Sequence, residues 1–138
     1  MTNIASRLPA QPFTIDQPGT VPLTFEGWQL AAESSEYAPR RLRHGDKRKQ
    51  RPDRPADRWT EVRIYLTMSD LWVVEYLGCS RIPGEVTLRR VEVCEDPVDV
   101  LNAVRHAGSG KIPGVSAHAL RAAAEKDERL ASTLQEAI

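Results

Sequence analysis

The clearest alternation of apolar and polar residues along the chain lies in the stretch 59–79. Between Val62 and Met68 every second residue is apolar and large, and a period of two is typical of a half-buried β-strand. Ser69-Asp70 interrupts the run with two residue types that favour turns. Apolar and aromatic residues then resume over 71–77. The pattern predicts a central β-hairpin.

The register of this hairpin decides which side chains share a face. If Met68 faces Leu71, one face is almost wholly aliphatic, and we expect this register for that reason. The opposite face then carries four aromatic side chains, which are Trp59, Tyr65, Trp72 and Tyr76. They form either a second packing layer or a protein interface, because Trp and Tyr are enriched at interface hot spots. A turn longer or shorter by one residue would exchange the two faces of the second strand.

Two further stretches predict strands. Residues 23–33 alternate before and after Gly27, where we expect a bend or a β-bulge. Residues 85–94 also alternate, with a change of parity at Arg89-Arg90 that predicts a second bulge. Charged residues throughout this last stretch are typical of an edge strand.

Helices are predicted after the strands. Asp96 is suited to cap a helix over 95–108, and Pro97 fits its first position. Ser116 is suited to cap a second, longer helix over 117–137, in which Leu, Ala and Ile recur at three- and four-residue spacing.

Asp127 falls on the apolar stripe of this second helix, and we expect it to pair with Arg121 or Arg129. Together the elements predict an α+β fold: a small antiparallel sheet of about four strands, with a central hairpin, packed on one face by two C-terminal helices. Residues 1–138 are expected to form a single domain that begins with an extended N-terminal arm, 1–20.

Composition adds little to this picture. The chain has 138 residues, 41% of them hydrophobic, and its net charge is zero. No apolar stretch approaches the roughly 18 residues of a membrane span, and the N-terminus lacks the pattern of a signal peptide, so we expect a cytoplasmic protein with no membrane partner. Cys79 and Cys94 lack metal-ligand or redox spacing and are expected to be free thiols, with a disulfide between neighbouring strands left open.

Positive charge is concentrated in one place. A basic loop insertion is predicted over 38–57, and the part 40–54 holds eight basic residues against two acidic ones, a net charge of +6. The basic residues are Arg40, Arg41, Arg43, Lys47, Arg48, Lys49, Arg51 and Arg54. Groups of this kind neutralise successive phosphates or steer towards an acidic protein surface. The loop has no aromatic residues among the basic ones, so sequence-specific base recognition is not indicated.

No motif indicates catalysis. The run Gly108-Ser109-Gly110-Lys111 lacks the first glycine and the final Ser or Thr of a phosphate-binding loop, and the three histidines lack ligand spacing. We therefore expect no metal, cofactor or catalytic residue.

Three hypotheses remain. The first is a non-catalytic accessory protein whose basic loop contacts nucleic-acid phosphates. The second is a protein-binding inhibitor or complex subunit of a bacterial or mobile-element system, acting through the loop or the aromatic face. The third, which we favour least, is a small enzyme. The sequence leaves open whether the protein is a monomer or a small homo-oligomer.

Overall fold

The computed structural model describes residues 3–37, 56–107 and 114–136. Over these ranges the chain forms one five-stranded antiparallel sheet and three α-helices, so the predicted α+β class is confirmed with one strand and one helix more than expected. The strands are β1 (Gln11–Ile15), β2 (Leu23–Ser34), β3 (Arg58–Thr67), β4 (Trp72–Ser80) and β5 (Leu88–Cys94), in the spatial order of the chain. The helices are α1 (Pro97–Ala107), α2 (Gly114–Lys126) and α3 (Glu128–Glu136).

The main core lies between one face of the sheet and the helices, and this face is called the helix face below. Its fully buried side chains include Val62 and Ile64 of β3, Val100 and Val104 of α1, and Leu30 of β2. Burial of each such side chain contributes about 1.5–3 kcal/mol, so this layer dominates the stability of the fold. In the described ranges, no helix has both the length and the apolar character needed to cross a membrane.

The opposite face of the sheet, called the open face below, holds a smaller apolar cluster. The rings of Phe13, Phe25 and Tyr65 pack with centroids 5.0–5.6 Å apart. Ile15 of β1 and Val91 of β5 belong to the same cluster although their strands form opposite edges of the sheet. The sheet is therefore curled around the open face. The predicted N-terminal arm covers the open face with Phe13 and Ile15, and its residues 11–15 form β1.

The hairpin between β3 and β4 exists, but the expected register is wrong. Leu66 pairs with Trp72, not Val73, because the turn contains three residues, Met68 to Asp70. Asp70 adopts a positive φ of 67°, and the amide of Thr67 donates to the carbonyl of Leu71 at 2.8 Å. A three-residue turn ending in the left-handed region is a common hairpin type. It exchanges the faces of β4 relative to the expectation.

Neither expected bulge is found where the sequence predicted it. Gly27 pairs regularly with Thr67, and the irregularity of β2 falls between Gln29 and Ala31. The pairing of β5 with β4 runs without a register shift, so there is no bulge at Arg89-Arg90, and β5 is the edge strand that the sequence predicted.

Of the three helices, only α1 begins as local signals predict. Asp96 accepts a hydrogen bond from the amide of Val98 at 3.0 Å and caps α1, which begins at Pro97. The single long helix predicted over 117–137 is instead two helices divided at Asp127, and Ser116 lies inside α2 because that helix begins at Gly114. Asp127 accepts a hydrogen bond from the amide of Arg129 at 2.9 Å and so caps α3.

Candidate functional site

The eight basic residues predicted to bind phosphate or an acidic partner lie outside the described residues, as does the rest of the segment 38–55, called the basic segment below. The structure does describe both of its flanks. The amide of Ala56 donates to the carbonyl of Glu36 at 2.8 Å, which joins the residues on either side of the segment. Ala56 is buried, with 1% of its surface exposed. The two flanks of the basic segment are therefore adjacent in space.

Arg81 holds this point together. Its guanidinium forms an ion pair with the carboxylate of Glu36, and its Nε donates to the carbonyl of Ala56 at 3.2 Å. The amide of Arg81 also donates to the carbonyl of Asp57 at 2.8 Å. The side chain of Arg81, the residue that follows β4, thus binds both flanks of the basic segment.

Trp59 lies beside this arginine. The guanidinium carbon of Arg81 is 4.7 Å from the ring centroid of Trp59, and the indole Nε1 donates to Glu61 at 2.8 Å. Trp59 is half-buried, so part of its ring faces solvent near the base of the basic segment. It is the one predicted interface aromatic that the structure places at this end of the sheet.

A cleft of about 700 Å³ opens at the same end of the sheet. Arg58 and Glu85 form a two-point ion pair on its rim, with distances of 2.9 and 2.5 Å, and Ser80 donates a further hydrogen bond to Glu85. The Arg58 guanidinium and the Ser80 hydroxyl lower the pKa of Glu85 from 4.5 to about 2. Val86 and Leu88 line the cleft and are largely exposed, at 75% and 71%. The end of the sheet thus combines an apolar wall with a charged rim.

The other predicted interface aromatics do not form one exposed face. The corrected register places Trp72 and Tyr76 on the helix face, where Trp72 is 1% exposed and Tyr76 packs against the main core. Tyr65 lies on the open face and is 5% exposed beneath Phe13 and Phe25. The expectation of a shared aromatic face is therefore wrong, and the physical reason is the three-residue turn.

Trp72 instead anchors the boundary between α2 and α3. Its Nε1 donates to Asp127 at 3.1 Å, and the guanidinium of Arg129 lies 4.5 Å from its ring centroid. Arg129 also approaches Asp127 at 3.5 Å and Asp70 at 2.7 Å. The predicted pairing of Asp127 with an arginine is confirmed for Arg129. This group of residues ties the helices to the β3–β4 turn.

A chain of ion pairs crosses the open face. Glu75 is buried and lies 3.0 Å from Arg63 and 3.6 Å from Arg89. Arg63 also contacts Glu61 at 2.7 Å, and Arg89 contacts Asp16 at 3.3 Å. Because Asp16 follows β1 and Arg89 lies on β5, this chain connects the two edges of the curled sheet. The two oxygens of Glu75 each face an arginine, so the ion pairs tie β3, β4 and β5 together.

The thiols are poorly suited to nucleophilic chemistry. Both cysteines are free. They lie opposite Trp59 and Trp72, at opposite ends of the sheet, too far apart for a disulfide. Burial raises the pKa of Cys94 to about 11, and burial with the nearby Glu61 carboxylate raises that of Cys79. Over residues 3–37, 56–107 and 114–136, no group of three or more His, Cys, Asp or Glu side chains has a metal-binding arrangement.

Sequence reasoning missed Arg81 and Glu36, the pair that binds the flanks of the basic segment. Each is a single charged residue outside the basic run, so no spacing pattern distinguished it. Comparison of the chain with protein-family models, with curated proteins and with solved structures found no match. The candidate site therefore stands on its own geometry.

Proposed function

We propose that the protein is a non-catalytic binding protein whose basic segment contacts the phosphate backbone of nucleic acid without reading base sequence. The observation that carries this proposal is the joint anchoring of both flanks of that segment by Arg81. Residues 40–54 carry a net charge of +6, and the residues on both sides of the basic segment are held together by Arg81, next to the end of β4.

The distribution of the other charges supports the same function. In the part of the chain that the structure describes, Arg58, Arg63, Arg81, Arg89, Arg90 and Arg129 each bind a carboxylate of the same chain. The positive charge of those arginines is therefore already paired with negative charge within the chain. Outside 40–54 the chain carries a net charge of −6, so the segment is the place where an anionic polymer gains favourable electrostatic energy.

The partner is therefore expected to be selected by charge and not by sequence. Six arginines and two lysines supply the basic groups, and the planar guanidinium suits two-point phosphate contacts. Trp59, half-buried beside Arg81, adds one aromatic surface at the base of the segment. Because one ring offers little base discrimination, single- and double-stranded nucleic acids of unrelated sequence are expected to bind comparably.

The test measures binding of the full chain to labelled single- and double-stranded oligonucleotides across a series of salt concentrations. Six neutralised phosphates predict a slope of log K against log salt of roughly −4 to −5. Replacing Arg40, Arg41 and Arg43 by Ser should make this slope shallower by about 2 to 3, since each lost phosphate contact changes it by about 0.7–0.9.

A matched control replaces three arginines that are exposed elsewhere, Arg7, Arg105 and Arg121, by Ser. The control should retain the original slope, and circular dichroism should show both variants to be folded. Equal slopes for the two triple variants would refute the role of the segment. Binding to a poly-glutamate peptide but not to nucleic acid would instead support the alternative, a protein-binding inhibitor or complex subunit with an acidic partner.

A further inference from the structure

The outer edge of β5 has features of a pairing surface. β5 is seven residues long and forms one edge of the sheet. Leu88 is 71% exposed and Val93 is 50% exposed. Edge strands usually avoid aggregation through Pro, charged side chains, short length or bulges, so pairing at β5 requires that its charges meet opposite charges on the partner strand. β5 pairs with β4 without a bulge, so the backbone N–H and C=O groups along its outer edge are regularly spaced.

The other edge of the sheet is protected. β1 has only five residues, and Pro12 near its start lacks an amide proton. Ile15 and Phe13 of β1 are turned into the apolar cluster of the open face. Of the two edges, β5 is therefore the one suited to extend the sheet.

The charge pattern of β5 identifies the partner strand. Arg90 and Glu92 lie on the helix face of β5, one on each side of Val91, and approach each other at 3.2 Å within the chain. In an antiparallel pair of two β5 strands centred on Val91, Arg90 of each copy lies opposite Glu92 of the other. Opposite charges directly across an antiparallel pair are stabilising and like charges are destabilising.

We propose that the protein forms a homodimer in which the β5 strands of two copies pair antiparallel, with Val91 at the two-fold axis. The sheet then becomes continuous over both copies. This inference is independent of the proposed function, because it involves neither the basic segment nor its anchor at Arg81.

Other registers are less favourable. Centring the pair on Arg90 places two arginines in opposition, and centring it on Glu92 places two glutamates in opposition. A slip of one residue sets the helix face of one copy against the open face of the other. The Val91 register avoids both penalties and, because Val91 is the midpoint of β5, pairs the strand over its whole length, so charge and overlap together favour this arrangement.

On the helix face, the surroundings of the edge leave room for these contacts. A cleft of about 430 Å³ lies between β5 and α1, lined by Arg90, Glu92, Val93, Asp99 and Asn102 among others. Arg90 has 48% of its side chain exposed and Glu92 36%. The intrachain contact uses one nitrogen, Nε, of a guanidinium that has five N–H donors, so a second carboxylate can bind without breaking it.

The first test measures the dimer dissociation constant of the full chain by sedimentation equilibrium. Arg90→Glu sets a carboxylate opposite Glu92 of the second copy and should weaken the dimer at least about tenfold, because two attractive pairs become repulsive. The exchanged variant, Arg90→Glu with Glu92→Arg, restores both pairs and should restore the dissociation constant. Arg121→Glu, an exposed reversal on α2, is the matched control and should leave it unchanged.

The second test reads the register directly. Val91→Cys places two cysteines across the axis with Cα atoms about 4.5–5.5 Å apart, within the range that a disulfide spans. Val93→Cys places them about 14 Å apart, at roughly 3.4 Å per residue, which a disulfide cannot span. Oxidation should cross-link the first variant and not the second, with the unsubstituted chain as the background.

The outcomes are distinct. A chain that is monomeric at every concentration overturns the proposal. A dimer that tolerates Arg90→Glu, or that the exchanged variant does not restore, places the interface elsewhere and overturns it as well. Cross-linking of Val93→Cys in preference to Val91→Cys overturns the register. Rescue by the charge exchange together with selective cross-linking at Val91 supports it.

Discussion

Asp127 is the residue whose removal should reveal most about how the helices are held on the sheet. Its carboxylate is buried: Oδ1 accepts the amide of Arg129, which caps α3, and lies 3.5 Å from the Arg129 Nε, and Oδ2 accepts the indole N–H of Trp72. Replacement by Ala removes both acceptors. The substitution therefore tests the helix cap and a buried side-chain hydrogen bond together.

The magnitude follows from the two hydrogen bonds, because Arg129 is exposed and keeps its ion pair with Asp70 when Asp127 is replaced. Loss of an N-cap costs about 0.5–2 kcal/mol, and a buried donor left without a partner costs about 1–3 kcal/mol. Asp127→Ala should therefore lower the free energy of unfolding by about 2–4 kcal/mol, a large part of the roughly 5–15 kcal/mol typical of a domain. Asp127→Ser keeps an oxygen that can cap α3, but its shorter side chain cannot reach Trp72. This variant should therefore lose only the contribution of the hydrogen bond to Trp72.

Urea unfolding followed by circular dichroism measures these differences, and Trp72→Phe supplies the control. In the Trp72→Phe background the donor is absent, so Asp127→Ala should cost only the capping contribution of about 1 kcal/mol. The coupling between the two sites is then about 1–3 kcal/mol. A cost below about 1 kcal/mol for Asp127→Ala alone, or the same cost in both backgrounds, would contradict the role assigned to the Trp72–Asp127 hydrogen bond.

Two further predictions concern the sheet and the ion pair at its end. A Cβ at Gly27 would clash with the carbonyl oxygen of Leu66 and lie 2.8 Å from the Cα of Thr67, so Gly27→Ala should destabilise the fold by about 1–3 kcal/mol or more. Gly78→Ala is the control, because its Cβ would meet Leu88 at an ordinary 3.8 Å, and it should be close to neutral in the same unfolding assay. The low pKa of Glu85, about 2 against 4.5, means that its ion pair with Arg58 stabilises the fold above pH 4.5 and is lost as the pH falls towards 2. The stability difference between the wild type and Glu85→Gln should therefore shrink over that pH range, and high salt should reduce it because both groups are exposed; a difference that is constant with pH would contradict the ion pair.

Local sequence signals predicted those parts of the fold that depend on a few neighbouring residues. The alternation in β3 and the cap at Asp96 belong to this class, because a strand face or a helix start is determined by residues close together in the chain. Asp127 carried a signal of the same kind, an N-cap residue followed by Glu128 in the first turn of α3. The alanine-rich run before it favoured one continuous helix, and the buried contact with Trp72 decided against this.

The hairpin register depended on something that the pattern does not contain. The two candidate registers differ by one residue in the turn, and both give an apolar face. The choice rests on the left-handed conformation of Asp70 and on the packing of Trp72 in the main core. β1 was likewise missed as a strand because Pro12 is unfavourable in central strands, although an edge strand tolerates it.

The candidate site likewise has one part that the sequence predicts and one part that it does not. The charge of 40–54 is visible in the composition of the chain, because it depends only on which residues are present. The anchor depends on Arg81 reaching Glu36 and Ala56, which are far from it along the chain. Long-range contacts of single residues leave no periodic trace, so only the folded structure reveals them.

The two proposals combine in a way that follows from the topology. Arg58, Ser80 and Leu88 lie at one end of the sheet, the end that carries the anchor of the basic segment. Antiparallel pairing of β5 places this end of one copy next to the Cys94 end of the other. In this dimer the two anchors lie at opposite ends of the joined sheet, separated along the strand direction by about twelve residues, roughly 40 Å, because Arg81 lies about six residues from the level of Val91. An anionic polymer longer than this distance can engage both segments of one dimer, whereas a shorter one can engage only one. The dimer would then raise the affinity for long nucleic acids through effective concentration, with no new contact at either segment.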